Sequence, residues 1–207
     1  MEQICVIFAG GPEQGNPCLP VPDDAFILCA DSGLRLAERL HVRPDLVLGD
    51  FDSLGSIPED YPHITVPVEK DDTDTLLAAR TALSRGYRDI RIYGAFGGRL
   101  DHTLANIQTL EFIHEAGGSG MLIGVHDYAV LQTAGIPRRY PRMDGFTLSA
   151  FAWTDRCTDV DITGTHYPLS GGTLTRSFPL GVSNEITGPF AEISIGEGLL
   201  LVICSQL

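Results

Sequence analysis

Residues 26–53 read FILCADSGLRLAERLHVRPDLVLGDFDS. The apolar run from Phe26 to Ala30 reads as a buried strand. Ser32 to Leu40 then places Leu34, Ala37 and Leu40 on one helical face, and Leu46 to Leu48 returns as a second strand. A strand, a helix and a strand in so few residues make a parallel crossover unit. Each strand runs into aspartates: Asp31 after the first, Asp50 and Asp52 after the second. Ligands of open parallel sheets bind beyond the carboxyl ends of the strands, which is where these carboxylates lie.

The same alternation extends on both sides. Ile4 to Ala9 and Ile90 to Tyr93 read as strands. Thr73 to Ser84, with Leu76, Leu77, Ala79 and Leu83, reads as a helix, as does Asp101 to Glu115, with Leu104, Ile107, Leu110 and Ile113. From about Val125 the helical period disappears. Short alternating runs replace it at Tyr128 to Gln132, Gly145 to Phe151, Thr173 to Phe178, Ala191 to Ile195 and Leu199 to Cys204, punctuated by Gly, Pro, Asp and Asn. Ala134 to Asp144, with two prolines and three arginines, reads as a hairpin loop. The expected fold class is α/β. A Rossmann-like parallel-sheet domain over residues 1–125 precedes an all-β sandwich domain over residues 126–207.

Composition narrows the class of function. At 207 residues with 43% hydrophobic and 20% charged side chains, the chain has material for a core. A net charge of -13 argues against a nucleic-acid partner, since phosphate backbones call for Lys and Arg clusters. The five cysteines include no C-x-x-C pair, and Cys5, Cys29 and Cys204 lie in apolar runs as packed thiols. A reducing cytoplasm suits that pattern. Met1-Glu2-Gln3-Ile4 leads into a first strand rather than a signal peptide, and no apolar segment reaches membrane-spanning length.

Four segments carry the chemistry. Gly49-Asp50-Phe51-Asp52-Ser53 offers two carboxylates to one hydrated Mg²⁺, which typically binds one or two protein carboxylates plus phosphate oxygens and water. Asp31 stands at the same topological level. Lys70-Asp71-Asp72-Thr73-Asp74 opens a helix; Thr73 has a capping role, but three aspartates in four positions exceed what a cap needs. Free N–H groups at that helix start and the Lys70 ammonium both suit phosphate. Gly97-Gly98-Arg99-Leu100-Asp101-His102 follows a strand, its glycines allowing close backbone approach and Arg99 offering a planar fork to phosphate oxygens. Neither a Walker A loop nor G-x-G-x-x-G is present. Carboxylates gathered this way repel one another unless a cation joins them, so the set points to a Mg²⁺-polyphosphate site and to an enzyme.

Taken in order, these segments resemble the thiamine pyrophosphokinase family. Matching stretches are A-D-S-G at Ala30, G-D-F-D-S at Gly49, K-D-D-T-D at Lys70 and G-G-R-L-D-H at Gly97 with Asn106. H-Y-P-L at His166, G-V-S-N-E at Gly181 and G-L-L-L-V-I at Gly198 complete the set. The resemblance implies a cytoplasmic homodimer with active sites at the subunit interface, between the α/β domain of one chain and the β domain of the other. It implies ATP as co-substrate, Mg²⁺ as cofactor, thiamine as acceptor, and AMP and thiamine diphosphate as products, with no nucleic-acid or membrane partner. By motif, Asp50, Asp52, Asp74 and Asp101 would form the metal and polyphosphate cluster. Asp31, Lys70, Thr73, Gly97 and Arg99 would bind ATP. Ser183 and Asn184 would contact thiamine, with Tyr167 as an aromatic neighbour. The chain departs from the frequent A-D-G-G-A-N pattern at Ser32 and at Leu34-Arg35, and Val125 to Asp161 carries no matching motif.

In the implied reaction the thiamine hydroxyl attacks the β-phosphorus of ATP, and either Asp74 or Asp101 accepts its proton. A related diphosphokinase acting on a hydroxymethylpterin, a D-x-D phosphatase, and a non-catalytic nucleotide or thiamine sensor are the competing readings.

Overall fold

A computed structural model describes residues 3–11, 14–56, 59–67 and 71–207. These form two compact units, Met1–His126 and Asp127–Leu207. In the first unit, strands β1 (Ile4–Phe8), β2 (Phe26–Ala30), β3 (Leu46–Gly49), β4 (His63–Thr65), β5 (Asp89–Tyr93) and β6 (Ser119–Ile123) line up in the order β6-β5-β1-β2-β3-β4. Every neighbouring pair among them is parallel. Helices α1 (Gly33–Arg39), α2 (Asp74–Ser84) and α3 (Leu100–Glu115) make the crossovers. Four of five residues in β1 and in β2 are buried, as a sheet covered on both faces requires. Each fully buried Ile, Leu or Phe there contributes roughly 1.5–3 kcal/mol.

Strand order decides where a ligand can sit. The chain moves one way from β1 through β4, then crosses to place β5 and β6 on the other side of β1. The reversal opens a crevice at the carboxyl ends of β1, β2 and β5.

The helices bury part of the faces the sequence period picks out, with Leu34 and Ala37 in α1, Ala79 in α2 and Leu110 and Ile113 in α3. α2 buries Thr75, Ala78, Ala79 and Ala82, while Leu76, Leu77 and Leu83 are only half-buried. Small side chains let α2 lie close on the sheet. Arg80 leaves α2 to pair with Asp72 at 2.8 Å and to cover the Phe112 ring at 4.5 Å. In α3 the buried face is Asn106, Thr109, Leu110 and Ile113, and Leu104 is exposed.

The second unit is wholly β, in two antiparallel sheets. One is β12-β9-β14-β7, from Gly181–Glu185, Phe146–Ala152, Leu199–Gln206 and Asp127–Thr133. The other is β11-β10-β13-β8, from Leu169–Thr175, Arg156–Thr163, Phe190–Ser194 and Arg138–Pro141. The arginine-rich stretch expected to be a loop thus contains strand β8, paired with β13. Its arginines are spent locally: Arg139 bonds Glu192 at 2.7 Å and covers the Phe190 ring. A buried polar chain ties the sheets, with Tyr140 Oη donating to Gln132 Oε1 (2.8 Å) and Gln132 Nε2 to the Ile193 carbonyl (2.7 Å). None of the five cysteines is in a disulfide. No helix of the described residues is long and apolar enough to cross a membrane.

Candidate active site

A cleft of about 480 Å³ opens at the carboxyl ends of the first unit's strands. Its floor comes from Ala9, Gly10 and Gly11 after β1 and from Gly94 and Ala95 after β5. Gly10-Gly11 carries no carboxylate and lies outside the acidic motifs; two glycines straight after an apolar strand are its signal in the sequence. A Cβ on Gly10 would lie 2.1 Å from Ser32 Oγ, and one on Gly11 would lie 2.3 Å from the Gly94 carbonyl oxygen. Only a chain without side chains there lets the ends of β1, β2 and β5 converge.

Asp31, Asp50 and Asp52 each bring one carboxylate oxygen within 4.8 Å of the others. Adjacency of β2 and β3 is the cause: Ala30 is in register with Leu48, so the residues following each strand arrive side by side. Asp31 is 5% exposed, in the left-handed region (φ 45), and its Oδ1 is buried with no hydrogen-bond partner among the described residues. A buried, unsatisfied carboxylate oxygen is costly and marks a place built for something else to bind. Phe51, also left-handed (φ 62), is buried and meets the His63 ring edge-on at 6.1 Å. Burying that ring anchors the loop while Asp50 and Asp52 flank it. The Asp52 N–H donates to Asp50 Oδ1 at 3.2 Å, and Ser53 Oγ to Asp52 Oδ1 at 3.1 Å. Arg35, one of the residues departing from the A-D-G-G-A-N pattern, donates to the Ser53 carbonyl at 2.7 Å and holds the loop to α1.

On the far wall Thr73 caps α2, its Oγ1 accepting the Leu76 N–H at 3.1 Å. Asp74, the first residue of the helix, lines the cleft beside Asp72 and Thr73. Gly97 and Gly98, both left-handed, wrap the third side. Asn106, buried in α3, donates from Nδ2 to the Ala95 carbonyl at 2.8 Å and fixes that loop. Arg99 lines the cleft and forms a fork with Asp101, Nε to Oδ1 at 3.1 Å and Nη2 to Oδ2 at 2.5 Å. This hydrogen bonding holds the Asp101 carboxyl below the usual carboxylate range and raises Arg99. Asp101 is exposed and is not part of the cleft lining. Lys70 lies outside the described residues.

Comparison with known proteins decides what this cleft belongs to. The family description "Thiamin pyrophosphokinase, catalytic domain" matches residues 21–117, and "Thiamin pyrophosphokinase, vitamin B1 binding domain" matches residues 137–200. Thiamine pyrophosphokinase from Bacillus subtilis (strain 168) is 30% identical over 207 residues, spanning 96% of this chain and 97% of that one. The chain belongs to the thiamin pyrophosphokinase family. Solved structures agree. The Bacillus subtilis thiamine pyrophosphokinase crystal structure matches with a TM-score of 0.86 at 25% identity, covering 99% of both chains. A thiamin pyrophosphokinase family protein from Enterococcus faecalis matches at 0.84 and 27% identity, again over 99% of both.

The catalytic-domain match holds the whole acidic cluster, and the vitamin B1 match holds the H-Y-P-L and G-V-S-N-E segments of the second unit. Within that unit Tyr167 is 69% exposed, its ring edge-on to His166 at 4.6 Å. Ser183 is exposed and left-handed (φ 55), where β12 breaks register with β9, and its N–H donates to Ser149 Oγ at 3.0 Å. Asn184 is buried, with its carboxamide turned to the Tyr167 backbone.

Proposed function

We propose that this chain transfers the diphosphate group of ATP to the hydroxyl of thiamine, giving thiamine diphosphate and AMP, with ATP seated in the acidic cleft of the first unit. The observation that carries this reading is the cluster of three carboxylates at the mouth of a parallel sheet, in a chain of the thiamin pyrophosphokinase family. The Asp31 Oδ1 among them, unpartnered among the described residues, fits a divalent cation. Asp31, Asp50 and Asp52 would hold Mg²⁺, with Asp74 and Asp101 as the further acidic groups toward the polyphosphate. When bound, Mg²⁺ would neutralise charge on the phosphate oxygens.

The protein's own groups then divide the work. N–H groups at the start of α2, the Gly97-Gly98 loop and Lys70 hold the polyphosphate, with Thr73 fixing the helix start. In the transfer, the thiamine oxygen bonds to the β-phosphorus and the bond from that phosphorus to the α-phosphate oxygen breaks. AMP leaves with the electron pair, and the hydroxyl proton passes to a carboxylate. Asp74 is better suited to take it than Asp101. It lines the cleft, whereas Asp101 is held by Arg99, which weakens it as a base. Asp101 instead fixes the Arg99 guanidinium at the cleft wall, where its positive charge would stabilise the transition state.

Thiamine binds the second unit, read as a β-sandwich, with Ser183 as a polar contact and Tyr167 as an aromatic wall for the cationic thiazolium. A homodimer with shared active sites is supported by apolar side chains left exposed on both units, Leu100 and Leu104 on one and Phe178, Leu180 and Val182 on the other. The test is AMP formation from ATP and thiamine, with Mg²⁺ and with a chelator. Product with thiamine and Mg²⁺ together supports the reading; its absence under all conditions, or equal turnover of a hydroxymethylpterin, defeats it. Sedimentation at micromolar concentration tests the dimer.

A further inference from the structure

Asn184 combines a motif position with an unusual use of its side chain. Its Oδ1 accepts the Tyr167 N–H at 2.9 Å, and its Nδ2 donates to the Tyr167 carbonyl at 2.7 Å. The carboxamide oxygen and the NH₂ each make one bond, and both bonds go to a single residue's backbone. The side chain thus does for Tyr167 what a neighbouring strand would do. Asn184 is 6% exposed, so these bonds are shielded from water.

The rest of the segment is fixed in the same way. Thr165 Oγ1 also donates to the Tyr167 carbonyl, at 3.2 Å. His166 N–H donates to the Glu185 carbonyl at 2.8 Å, and Thr187 N–H to the Gly164 carbonyl at 2.9 Å. Residues 164–167 are stitched to the strand that carries Ser183 and Asn184. Yet Tyr167 itself is 69% exposed, its ring nearly perpendicular to that of His166. A large aromatic side chain with an immobilised backbone and a free face is preorganised to bind a flat ligand, since its ordering cost is met on folding.

Along the 183–184 dipeptide the two side chains part. The left-handed Ser183 stays exposed, and Asn184 turns inward. We propose that Asn184 is a positioning residue that acts on thiamine through Tyr167, clamping its backbone so that the ring forms the wall for the cationic heterocycle. Ser183 is the member of the pair left to touch the ligand. This rests on the reading above that Tyr167 faces thiamine.

A double-mutant cycle on the full-length enzyme tests both levels, reading AMP formation against thiamine and ATP separately. Tyr167→Ala and Asn184→Ala are each expected to raise the thiamine KM by about tenfold, the scale of one cation–π wall contact. The ATP KM and kcat should change by less than about twofold, a split that general unfolding would not produce. The double variant should be no worse than Tyr167→Ala. Effects that multiply in the double variant would mean that Asn184 contacts thiamine itself, which overturns the proposal. An unchanged thiamine KM in Tyr167→Ala would instead overturn the underlying assignment of Tyr167. If Asn184→Ala does not melt cooperatively, Asn184→Asp takes its place in the cycle, since it keeps the acceptor for the Tyr167 N–H and removes the donor to the carbonyl. The same non-additivity is expected of it, and additivity there refutes the proposal equally.

Discussion

Replacing Asp31 with asparagine removes one charge and little else. Asn is among the residues that best tolerate the left-handed backbone seen there (φ 45), so the fold has no conformational reason to change. Asp31 lies within 4.8 Å of both Asp50 and Asp52, so its charge takes part in two of the three repulsions of the cluster. At 4.8 Å each repulsion is about 0.9 kcal/mol in a water-like dielectric and about 3.5 kcal/mol at an effective dielectric of 20. Asp52 is exposed and Asp50 only half-buried, which favours the lower figure, or about 2 kcal/mol for the two. In a protein of this size that is a rise in Tm of about 4–8 °C without divalent cation. With Mg²⁺ the sign reverses, because the wild-type cluster gains binding free energy that the variant has given up. Thermal melts at low ionic strength, with chelator and then with millimolar Mg²⁺, read both effects. Added monovalent salt should shrink the first difference. A variant that melts below wild type with chelator would show that the protein itself stabilises the Asp31 charge. An equal gain from Mg²⁺ in both proteins would remove Asp31 from the cation site.

The other groups of the cleft make separate predictions. Asp74→Asn should lower kcat by about 10²–10⁴, the range for loss of a general base. Asp101→Asn, by releasing Arg99, should act mainly on the ATP KM, and the reverse pattern would exchange their roles. In Gly49→Ala the new Cβ would stand 3.0 Å from the Asp31 Cα and Cβ, which should cost about 1–3 kcal/mol of stability and displace the Asp31 carboxylate. The Mg²⁺ concentration needed for half-maximal turnover should rise, and an unchanged Mg²⁺ dependence would contradict that. Burial raises Cys204 to about 11 and Cys5 and Tyr93 to about 12. Their folded pKa values lie above the unfolded ones, so their contribution is complete below about pH 9 and is lost as pH climbs through 11–12, by about 1.4 kcal/mol per pH unit per group. Denaturant titrations from pH 8 to 11 should show steepening loss, and a flat profile would mean that these groups are hydrated in the fold.

Much of this was legible along the chain. Strands β1, β2, β3 and β5 and all three helices announce themselves by period, because a buried parallel strand needs a continuous apolar run and a helix an apolar stripe. Strands β4, β6, β8, β10 and β12 did not. His63–Thr65 is exposed throughout, Arg138–Pro141 is half arginine and Gly181–Glu185 reads as a turn, so only their partners make them strands. The buried faces of α2 and α3 were legible in part: Ala79, Leu110 and Ile113 are buried as the period predicts, while Leu76, Leu77 and Leu83 are half-buried and Leu104 is exposed.

The sequence by itself determined the alternation of elements, the aspartates at their ends and, through the ordered set of motifs, the family. Those are properties of neighbours along the chain, where spacing alone brings residues together. Which carboxylates share a site was settled by strand order, since the register of β2 on β3 brings Asp31 to Asp50 and Asp52 from a different loop. How each polar side chain is spent was likewise a matter of tertiary structure. Arg99 takes the Asp101 carboxylate, and Asn184 turns inward to Tyr167 while Ser183 stays outside. A hydrogen bond depends on a few tenths of an ångström and on direction, and only the packed chain fixes those.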